Sequence, residues 1–330
     1  MFDLHRLRLL RELKHRGTLA AVAAALSYSP SSVSQQLSQL EAEVGVPLLE
    51  PVGRRVRLTE QAEILVAHTE AVLERLERAE ADIAASLTDL SGSLRVATFQ
   101  TAALTLVPAA LTLLRDAHPR LRVHVTQMEP ERALPALLAR DFDLVIAEEY
   151  PGSPGPRPDG LEREDLYEDP MHLATPPPPA PTDSTDLTGP TNLMGPAGPT
   201  DLTSPTATAN TTATSPRATL RAQADRPWVL EPEGTAARCW AMALCRTAGF
   251  EPDVRFESTD LLLHLRLVEQ GHAVALLPDL VWNGRPPTVP LHRLPRGHRS
   301  RRLATAVRRG SSGHPAVAAC RRALRRGAGT

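Results

Sequence analysis

The chain has 330 residues, of which 42% are hydrophobic and 3% aromatic, and its formal net charge is −1. This length predicts two or three domains, whose cores must consist mainly of Ala, Leu and Val. The near-zero net charge excludes a protein that binds polyanions through bulk charge alone. The three cysteines are too few for a disulfide framework, and the C-x5-C spacing of the first two fits no common metal site. We therefore expect buried structural thiols rather than a redox sensor.

The N-terminal stretch MFDLHRLRLL contains charged residues throughout, which is not the pattern of a secretory signal. No apolar run approaches the length of a membrane span. The sequence thus predicts a cytoplasmic protein with no membrane partner.

Residues 1–58 have the pattern of three short helices and a turn-rich ending. Leucines at helical spacing predict a first helix over 3–15 that ends at Gly17, and TLAAVAAAL predicts a second helix of small residues. After the short turn SYS, Ser29 can cap a third helix with Pro30 at its first helical position. This arrangement indicates a helix-turn-helix. On geometry alone, a plain three-helix bundle without a ligand is an equal alternative.

The outer face of the third helix, SPSSVSQQLSQLE, favours the first of these interpretations. If Val33, Leu37 and Leu40 face the core, short uncharged polar side chains lie on the opposite side and beside it. These outer residues are Ser31, Ser32, Ser34, Gln35, Ser38 and Gln39. No acid that would repel phosphates occurs before Glu41, Ser can donate to a phosphate oxygen, and Gln can pair with an adenine edge. The pattern is typical of a helix that enters the DNA major groove by its N-terminus.

The next stretch, GVPLLEPVGRRVRLTE, predicts a β-hairpin wing. Its cations Arg54, Arg55 and Arg57 are placed for contacts with the DNA backbone. A solvated basic turn is the alternative, but the position directly after the reading helix favours the wing.

Thr59 can cap a long helix over 59–88. Its small and apolar residues alternate three and four apart, which is the pattern of a coiled-coil seam. The seam residues are Ala62, Leu65, Thr69, Val72, Leu76, Ala79 and Ile83. A seam of this length favours pairing with a second chain, and a dimer would place two reading helices on successive half-sites. A helix packed on its own domain is the alternative.

The stretch AAVAAALSYSPSSVSQQLSQLEAEVGVPLLEPVGRRVRLTEQA resembles the winged helix-turn-helix of LysR-type transcriptional regulators. The resemblance extends more loosely over most of the chain. It implies that the family's DNA-contacting positions are here Pro30, Ser31, Ser32, Ser34 and Gln35, with support from Arg54 and Arg55 in the wing. Gln35 stands where relatives often have Arg, so adenine would replace guanine as the preferred base. Pro51 stands where the wing commonly carries Arg, which would weaken backbone affinity.

Over residues 93–175, strand-like and helix-like segments alternate in βαβαβ order, beginning with the strand SLRVATF. This order predicts a parallel sheet with ligands at the carboxyl ends of its strands. The residues at these ends are Gln100, Thr101, Glu129, Glu148 and Glu149. The scheme repeats from 226, and the ends of the second sheet carry Glu231, Gly234, Thr235, Glu257, Ser258 and Thr259. Two such lobes resemble the effector-binding domain of the same family, which is similar to periplasmic solute-binding proteins.

The resemblance implies a small ligand between the lobes, in contact with Gln100, Thr101, Thr235 and residues near Leu276. Thr101 and Thr235 each open a predicted helix, whose free N–H groups attract an anion. A routine N-cap explains either threonine equally well. The nearby acids Glu129, Glu148 and Glu149 argue against a simple carboxylate ligand, unless they are solvated rim residues.

The expected fold class is α+β, with a mainly α winged helix-turn-helix, a long linker helix and a two-lobed α/β effector domain of periplasmic-binding-protein type. The expected domains are a DNA-binding domain over 1–58, a linker and dimerisation helix over 59–90, and an effector domain over 91–330. Lobe I is expected over about 91–167 and 286–330, and lobe II over about 168–285. The Pro-, Thr- and Ser-rich segment 176–217 is expected to be a disordered insertion.

From Arg293 onward the chain has eleven Arg and no acid, which we interpret as a solvated helix face rather than a surface for DNA or an acidic partner. His264 and His272 are expected on helix surfaces.

The sequence therefore predicts a sequence-specific transcriptional regulator, a dimer or tetramer controlled by a small-molecule effector, with no metal and no cofactor. The alternative is a small-molecule-binding module whose DNA-binding head has lost affinity, which Pro51 and the uncharged reading face motivate. An enzyme is disfavoured because the sequence has no G-x-S-x-G, no phosphate loop and no H-E-x-x-H.

Overall fold

The computed structural model describes residues 2–26, 28–53, 55–87, 89–153, 155, 158–178 and 215–328. Among these residues, no helix combines the length and the apolar character that a membrane crossing requires.

The N-terminal head consists of three helices and a two-stranded wing. The helices are α1 (Leu4–Arg16), α2 (Leu19–Leu26) and α3 (Pro30–Val44), and the antiparallel wing strands are β1 (Leu49–Val52) and β2 (Arg55–Leu58). Helix α1 ends at Gly17, whose φ of 76° lies in the left-handed region that favours glycine. Leucines of α1 pack against Val22, Val33, Leu37 and Leu40, so the three helices enclose one core. The predicted helices and wing are confirmed.

Helix α4 (Glu60–Ala85) follows the wing, and the Oγ1 atom of Thr59 caps it by accepting a hydrogen bond from the N–H of Ala62 at 3.2 Å. The residues that α4 buries against its own chain are Ala62, Val66, Thr69, Leu73, Glu77 and Ala81. The predicted seam is therefore wrong at Ala62 and Thr69, because both face the chain's own core. Val72, Leu76 and Ile83 remain 47%, 40% and 65% exposed on a second face of the helix.

Lobe I is a sheet covered by helices. Its first elements are β3 (Gly92–Thr98), α5 (Gln100–Ala117), β4 (Leu121–Gln127), α6 (Pro130–Leu138) and β5 (Leu144–Glu149). Strand β3 lies between β4 and β5 and is parallel to both, as the βαβαβ order predicted.

In lobe II, strands and helices alternate again. Its elements are α7 (Pro216–Arg221), β7 (Pro227–Leu230), α8 (Ala236–Ala248), β8 (Asp253–Glu257), α9 (Leu261–Glu269), β9 (Ala275–Pro278), a 3-10 turn (Asp279–Trp282) and β10 (Leu291–Arg293). Strands β7 and β8 are parallel, and a bridge between Trp228 and Val274 joins them to the segment that leads into β9.

One long strand connects the two lobes. Strand β6 (Leu161–Ala174) pairs in its first part with β11 (Ser300–Arg308) of lobe I and in its last residues with β9 and β10 of lobe II. The C-terminal helix α10 (Pro315–Ala328) then packs on α5. The two lobes therefore share β6. Ion pairs join residues of β5, β6 and β11, and these three strands line one side of the cleft between the lobes.

Most of the predicted disordered segment 176–217 lies outside the described residues. Its last residues are helical, because Pro216 and Arg217 open α7. The hydroxyl of Ser215 caps this helix by accepting from the N–H of Ala218 at 3.2 Å, and Leu220 is fully buried. The predicted C-terminal bound of the disordered segment is therefore wrong, since a Ser-Pro cap starts a helix there.

Candidate DNA-reading face and effector cleft

Helix α3 has the two faces that the sequence predicted. Val33, Leu37 and Leu40 are buried to 1% exposure or less, and Ser32 is half-buried. The exposed residues on the other side are Pro30, Ser31, Ser34, Gln35, Ser38 and Gln39. At the N-terminus, the hydroxyl of Ser29 accepts from the N–H of Ser32 at 3.1 Å. The exposed face of α3 thus belongs to a helix that is capped and packed on the core, and it carries no charge from Pro30 to Gln39.

Glu41 has a structural function that the sequence did not reveal. Its Oε1 atom accepts hydrogen bonds from the N–H groups of Leu48 and Leu49, at 2.8 and 3.0 Å. These bonds fix the start of the wing against the reading helix. Glu41 therefore orients the wing relative to α3.

Tyr28, which the sequence analysis did not single out, lies two residues before the first residue of α3. Its ring is 46% exposed and meets the ring of His5 edge-on, with 5.6 Å between the centroids. A single aromatic residue in the turn before a capped helix was the signal that could have found it.

The wing presents Arg57 on its exposed side, where it pairs with Glu50 of the opposite strand at 2.9 Å. Pro51 lies in β1 opposite Val56. Arg55 is the first residue of β2, and Arg54 lies outside the described residues.

In the effector domain, two side chains of lobe I bind the first turns of two helices of lobe II. The Oε1 atom of Gln100 accepts from the N–H of Leu261 at 2.7 Å, and its Nε2 donates to Asp260 at 2.6 Å. The Oε1 atom of Glu131 accepts from the N–H of Ala236 at 2.8 Å. The lobes are thereby closed on each other, and backbone donors that could bind an anionic ligand are already occupied.

The two threonines predicted at helix starts have different functions. Thr235 is the N-cap of α8, and its Oγ1 accepts from the N–H of Arg238 at 3.1 Å. Thr101 is not a cap, because α5 starts one residue earlier; it is buried and accepts a hydrogen bond from Arg301 at 2.7 Å.

Arg301 is the central cation of the cleft, and the sequence reasoning missed it. It is 1% exposed, its Nε donates to Asp169 at 2.9 Å, and it also pairs with Glu148. Its guanidinium lies over the ring of Phe99, 5.1 Å from the centroid. Burial alone lowers the pKa of Arg301, but Glu148, Tyr150 and Asp169 raise it on balance above its usual value. The expectation that the C-terminal arginines form a solvated face is therefore wrong here, and also at the buried Arg321.

The cleft contains more carboxylates than Arg301 can neutralise. One oxygen each of Glu129, Glu148 and Glu231 lies within 4.8 Å of the others. Glu148 and Glu231 are each 8% exposed, so for Glu148 the interpretation as a rim residue is wrong. Glu149 is also buried; it lies on the opposite side of β5, where it pairs with Arg302 at 3.0 Å.

Burial and mutual repulsion act on the protonation of these acids. Burial, with the charges of Glu148 and Glu131 in addition, raises the pKa of Glu129 to about 7. Burial, with the charges of Glu148 and Glu129, raises the pKa of Glu231 well above its usual value. The negative charge of this cluster is therefore costly in the protein alone.

A small cavity of about 20 Å³ adjoins Glu231, and its lining includes Trp240, His264 and Leu276. Leu276 is 6% exposed. His264 is only 2% exposed and its Nε2 lies 2.8 Å from the carbonyl oxygen of Ser258, so its predicted surface position is wrong. Its helix packs on β7 and β9, which places the ring inside lobe II.

A larger open depression, of about 780 Å³, lies beside β6 and β11 and includes Glu149, Glu168 and Arg302 in its lining. These charged groups have partners, since Arg302 pairs with Glu149 and the hydroxyl of Ser300 donates to Glu168 at 2.5 Å. The cleft around Glu231 is therefore the stronger candidate site.

The three cysteines are free thiols, with Cys245 and Cys320 buried and Cys239 exposed. Burial raises the pKa of the Cys245 and Cys320 thiols to about 12 each. The predicted structural thiols are confirmed for these two, whereas the prediction is wrong for Cys239, which points outward from α8.

Two family models match the chain. Residues 4–63 match the model described as "Bacterial regulatory helix-turn-helix protein, lysR family", and residues 87–329 match the "LysR substrate binding domain". The chain belongs to the LysR family of transcriptional regulators. The predicted family and fold class are confirmed, and this is a family of DNA-binding regulators with an effector-binding domain, not a family of enzymes.

Relatives agree with this membership, and a solved structure shares the fold. A "Probable hydrogen peroxide-inducible genes activator" of Mycobacterium xenopi is 32% identical over 171 residues, which cover 52% of this chain and 88% of the relative. The "Transcriptional dual regulator GltC" of Bacillus subtilis is 25% identical over 277 residues, which cover 84% of this chain and 81% of the relative. A full-length OxyR structure from Pseudomonas aeruginosa has a TM-score of 0.61 at 19% identity and covers 98% of this chain and 95% of its own. The TM-score shows that the two chains share a fold.

Proposed function

We propose that this LysR-family regulator acts in the cytoplasm as a homodimer, reads a promoter operator with α3, and is controlled by a small molecule bound between the two lobes. The observation that carries the proposal is the capped helix α3, whose buried face anchors it and whose exposed face carries no charge from Pro30 to Gln39. A surface helix without a ligand has no need to exclude charge from one side.

The reading contacts follow from the side chains on that face. Ser31, Ser32 and Ser34 donate to phosphates or base edges near the N-terminus, where Pro30 packs against the DNA backbone. The amide of Gln35 pairs with an adenine edge in the major groove. Arg54, Arg55 and Arg57 of the wing bind the adjacent backbone.

The dimer forms through the second face of α4. Ile64, Val72, Leu76 and Ile83 are between 40% and 65% exposed, although α4 already buries another face within its own chain. Apolar side chains at this spacing along one helix are typical of a helix that pairs with a partner helix. Two heads held in this way can bind two half-sites of one operator.

The linker helix and the head both contact lobe I, which provides a connection between ligand and DNA. Arg308 of β11 pairs with Glu77 of α4 at 2.6 Å, and Arg11 of α1 donates to the carbonyl oxygen of Leu138 at 2.6 Å. A change in the closure of the lobes would alter these contacts and thus the angle between the two heads of a dimer.

Control by a bound ligand is favoured over control by thiol oxidation. The reactive form of cysteine is the thiolate, and the raised pKa of Cys245 and Cys320 keeps both thiols protonated near neutral pH. Titration of the native protein with a thiol reagent should modify Cys239 alone, and Cys239→Ser should leave regulation intact. Loss of the regulatory response in Cys239→Ser would contradict this part of the proposal.

The proposal is tested by fluorescence anisotropy of the full chain on the promoter fragment upstream of its own gene, over a salt series. We expect sequence-selective binding that weakens as salt rises. Gln35→Ala should lose about 1–3 kcal/mol of discrimination at one or two base pairs, whereas Gln61→Ala on α4 serves as the control and should bind normally. Binding without sequence preference would contradict the proposal and leave a ligand-binding module without a DNA function.

A further inference from the structure

The cleft between the lobes has an unbalanced charge. The acids that face it come from every surrounding element: Glu129 and Glu131 at α6, Glu148 on β5, Asp169 on β6 and Glu231 after β7. Among the described residues, Arg301 is the cation that pairs with them, through Glu148 and Asp169. Glu131 already accepts a hydrogen bond from the N–H of Ala236. The carboxylates of Glu129 and Glu231 receive no hydrogen bond and no ion pair within the described part of the chain.

Glu231 is the side chain that most clearly lacks a partner. It is only 8% exposed, and carboxylate oxygens of Glu129 and Glu148 lie within 4.8 Å of its own. The repulsion by these two charges raises its pKa more than the more distant attraction by Arg301 lowers it. Arg238 lies close by, but it donates to the backbone carbonyl of Glu231 and pairs its charge with Glu257 at 3.1 Å. A buried carboxylate without a partner is costly, so its retention indicates that a partner comes from outside the chain.

The sign of the missing partner follows from the same contacts. An anionic ligand at the starts of α8 and α9 would have to displace Glu131 and Gln100 from their N–H groups. It would also approach carboxylates that already repel one another. A positive group, in contrast, would lie between three oxygens that are within 4.8 Å of one another. Hard divalent metal ions bind opposite oxygens about 4–5 Å apart, and an ammonium group donates to three acceptors at a similar spacing.

We propose that the cleft binds a cation, held jointly by Glu129, Glu148 and Glu231. This inference rests on the ligand-controlled function proposed above and names the chemical class of the effector. Glu129 and Glu148 belong to lobe I and Glu231 to lobe II, so the cation bridges the lobes and stabilises their closed arrangement. Its positive charge replaces the repulsion among the three carboxylates by attraction.

The two sources of such a charge differ in the room they need. In the closed lobes the three carboxylate oxygens lie within 4.8 Å of one another, which is a spacing that a single ion can bridge. The cavity of about 20 Å³ that adjoins Glu231 is lined by neither Glu129 nor Glu148 and has no space for a longer group. A metal ion fits the closed lobes, whereas an organic amine with a longer carbon chain binds only if the lobes move apart. The two sources are therefore distinguishable by experiment.

The test uses the purified full chain after treatment with EDTA and dialysis. Thermal unfolding is followed during titration with MnCl2, MgCl2 or CaCl2 in one arm and with putrescine in the other. We expect a saturable rise of the Tm in one arm. Glu231→Gln and, separately, Glu129→Gln should weaken that binding by about tenfold or more. The control Glu233→Gln, an exposed acid two positions away, should bind like the wild type.

The outcomes separate this inference from the proposed function because operator binding is measured on the same preparations. No saturable shift in either arm, or an equal shift in Glu231→Gln, overturns the cation site. Stabilisation by sodium benzoate alone also overturns it, since an anion would then be the ligand. If the operator binds under these outcomes, the proposed regulator function stands; if a cation binds but the operator does not, the proposed function fails and the cation site stands.

Discussion

Two buried groups of charges in this protein differ in one respect, which is whether their acids have partners. At the joint between the linker helix and lobe I, Glu77 is 5% exposed and pairs with Arg308 at 2.6 Å and with Arg140 at 2.9 Å. The hydroxyl of Ser311 also donates to it. In the cleft between the lobes, Glu231 is almost as buried and has no such partner among the described residues.

The difference separates a structural contact from a binding site. A buried charge with a complete set of partners connects elements, and removal of one partner leaves the others uncompensated. A buried acid without partners costs free energy in the protein alone, whether it stays charged or takes up a proton. In the cleft we attribute this cost to a site for a ligand of opposite sign. The two groups should therefore respond in opposite directions to the same type of substitution.

The largest effect is expected at the joint. Glu77→Ala removes the acid that pairs with Arg140 and leaves Arg308 with Asp143 alone, at 3.5 Å, so it should lower the free energy of unfolding by about 3 kcal/mol. Urea denaturation followed by circular dichroism measures this change, with Glu80→Ala, an exposed acid on the same helix, as the control. A loss no larger than that of the control would show that Glu77 is not a structural contact.

A smaller effect of opposite sign is expected in the cleft. Glu231→Gln keeps the shape of the side chain and removes the free-energy cost of burying its carboxylate, or of protonating it, without a partner. In the presence of EDTA and without amines, it should raise the free energy of unfolding by on the order of 1 kcal/mol. The same denaturation experiment measures it against Glu233→Gln. A lower free energy of unfolding in Glu231→Gln would contradict the prediction that the two groups respond in opposite directions.

The smallest effect is expected from His264, whose protonation makes the stability of the protein depend on pH. Burial lowers the pKa of His264, although the Ser258 carbonyl and Asp260 favour its charged form. Tyr150 and Glu231 line the same cavity. In the unfolded chain the imidazole of His264 takes up a proton near pH 6.5, whereas in the folded protein it takes up a proton only at a lower pH. This stabilising contribution is therefore present above pH 6.5 and is lost as the pH falls towards the folded pKa.

The comparison of wild type with His264→Gln isolates that contribution, because all other titrating groups are common to both proteins. Between pH 7.5 and pH 5.5, the urea midpoint of the wild type should fall further than that of the variant. Parallel midpoints over this interval would mean that the imidazole is not held neutral by its burial.

Local signals made the head predictable from sequence. The cap at Ser29, the proline after it and the buried ladder of α3 all act within a few residues of each other, so the helix and its exposed face follow directly. The DNA contacts of Ser31 and Gln35 remain predictions, because no DNA defines them. The βα alternation predicted the strands of both lobes for the same local reason.

The cleft was less predictable because its contacts join distant parts of the chain. Arg301 binds Asp169 across 132 positions and Thr101 across 200, and the sequence showed it only as one of many C-terminal arginines. Similarly, the spacing along α4 could not show which of two apolar faces the chain itself buries. Ala62 and Thr69 were assigned to the partner face because periodicity alone does not identify what a face packs against.

The central claim is that an acidic cleft with a missing cation controls the helix that reads DNA. The most direct test is the operator affinity of the full chain, measured by anisotropy with and without the cation that stabilises it, MnCl2 or putrescine. We predict that the cation changes the operator Kd of the wild type severalfold, that Glu231→Gln shows no such change, and that Glu233→Gln behaves like the wild type. An operator Kd that is the same with and without the cation in the wild type, or that changes equally in Glu231→Gln, would contradict the claim.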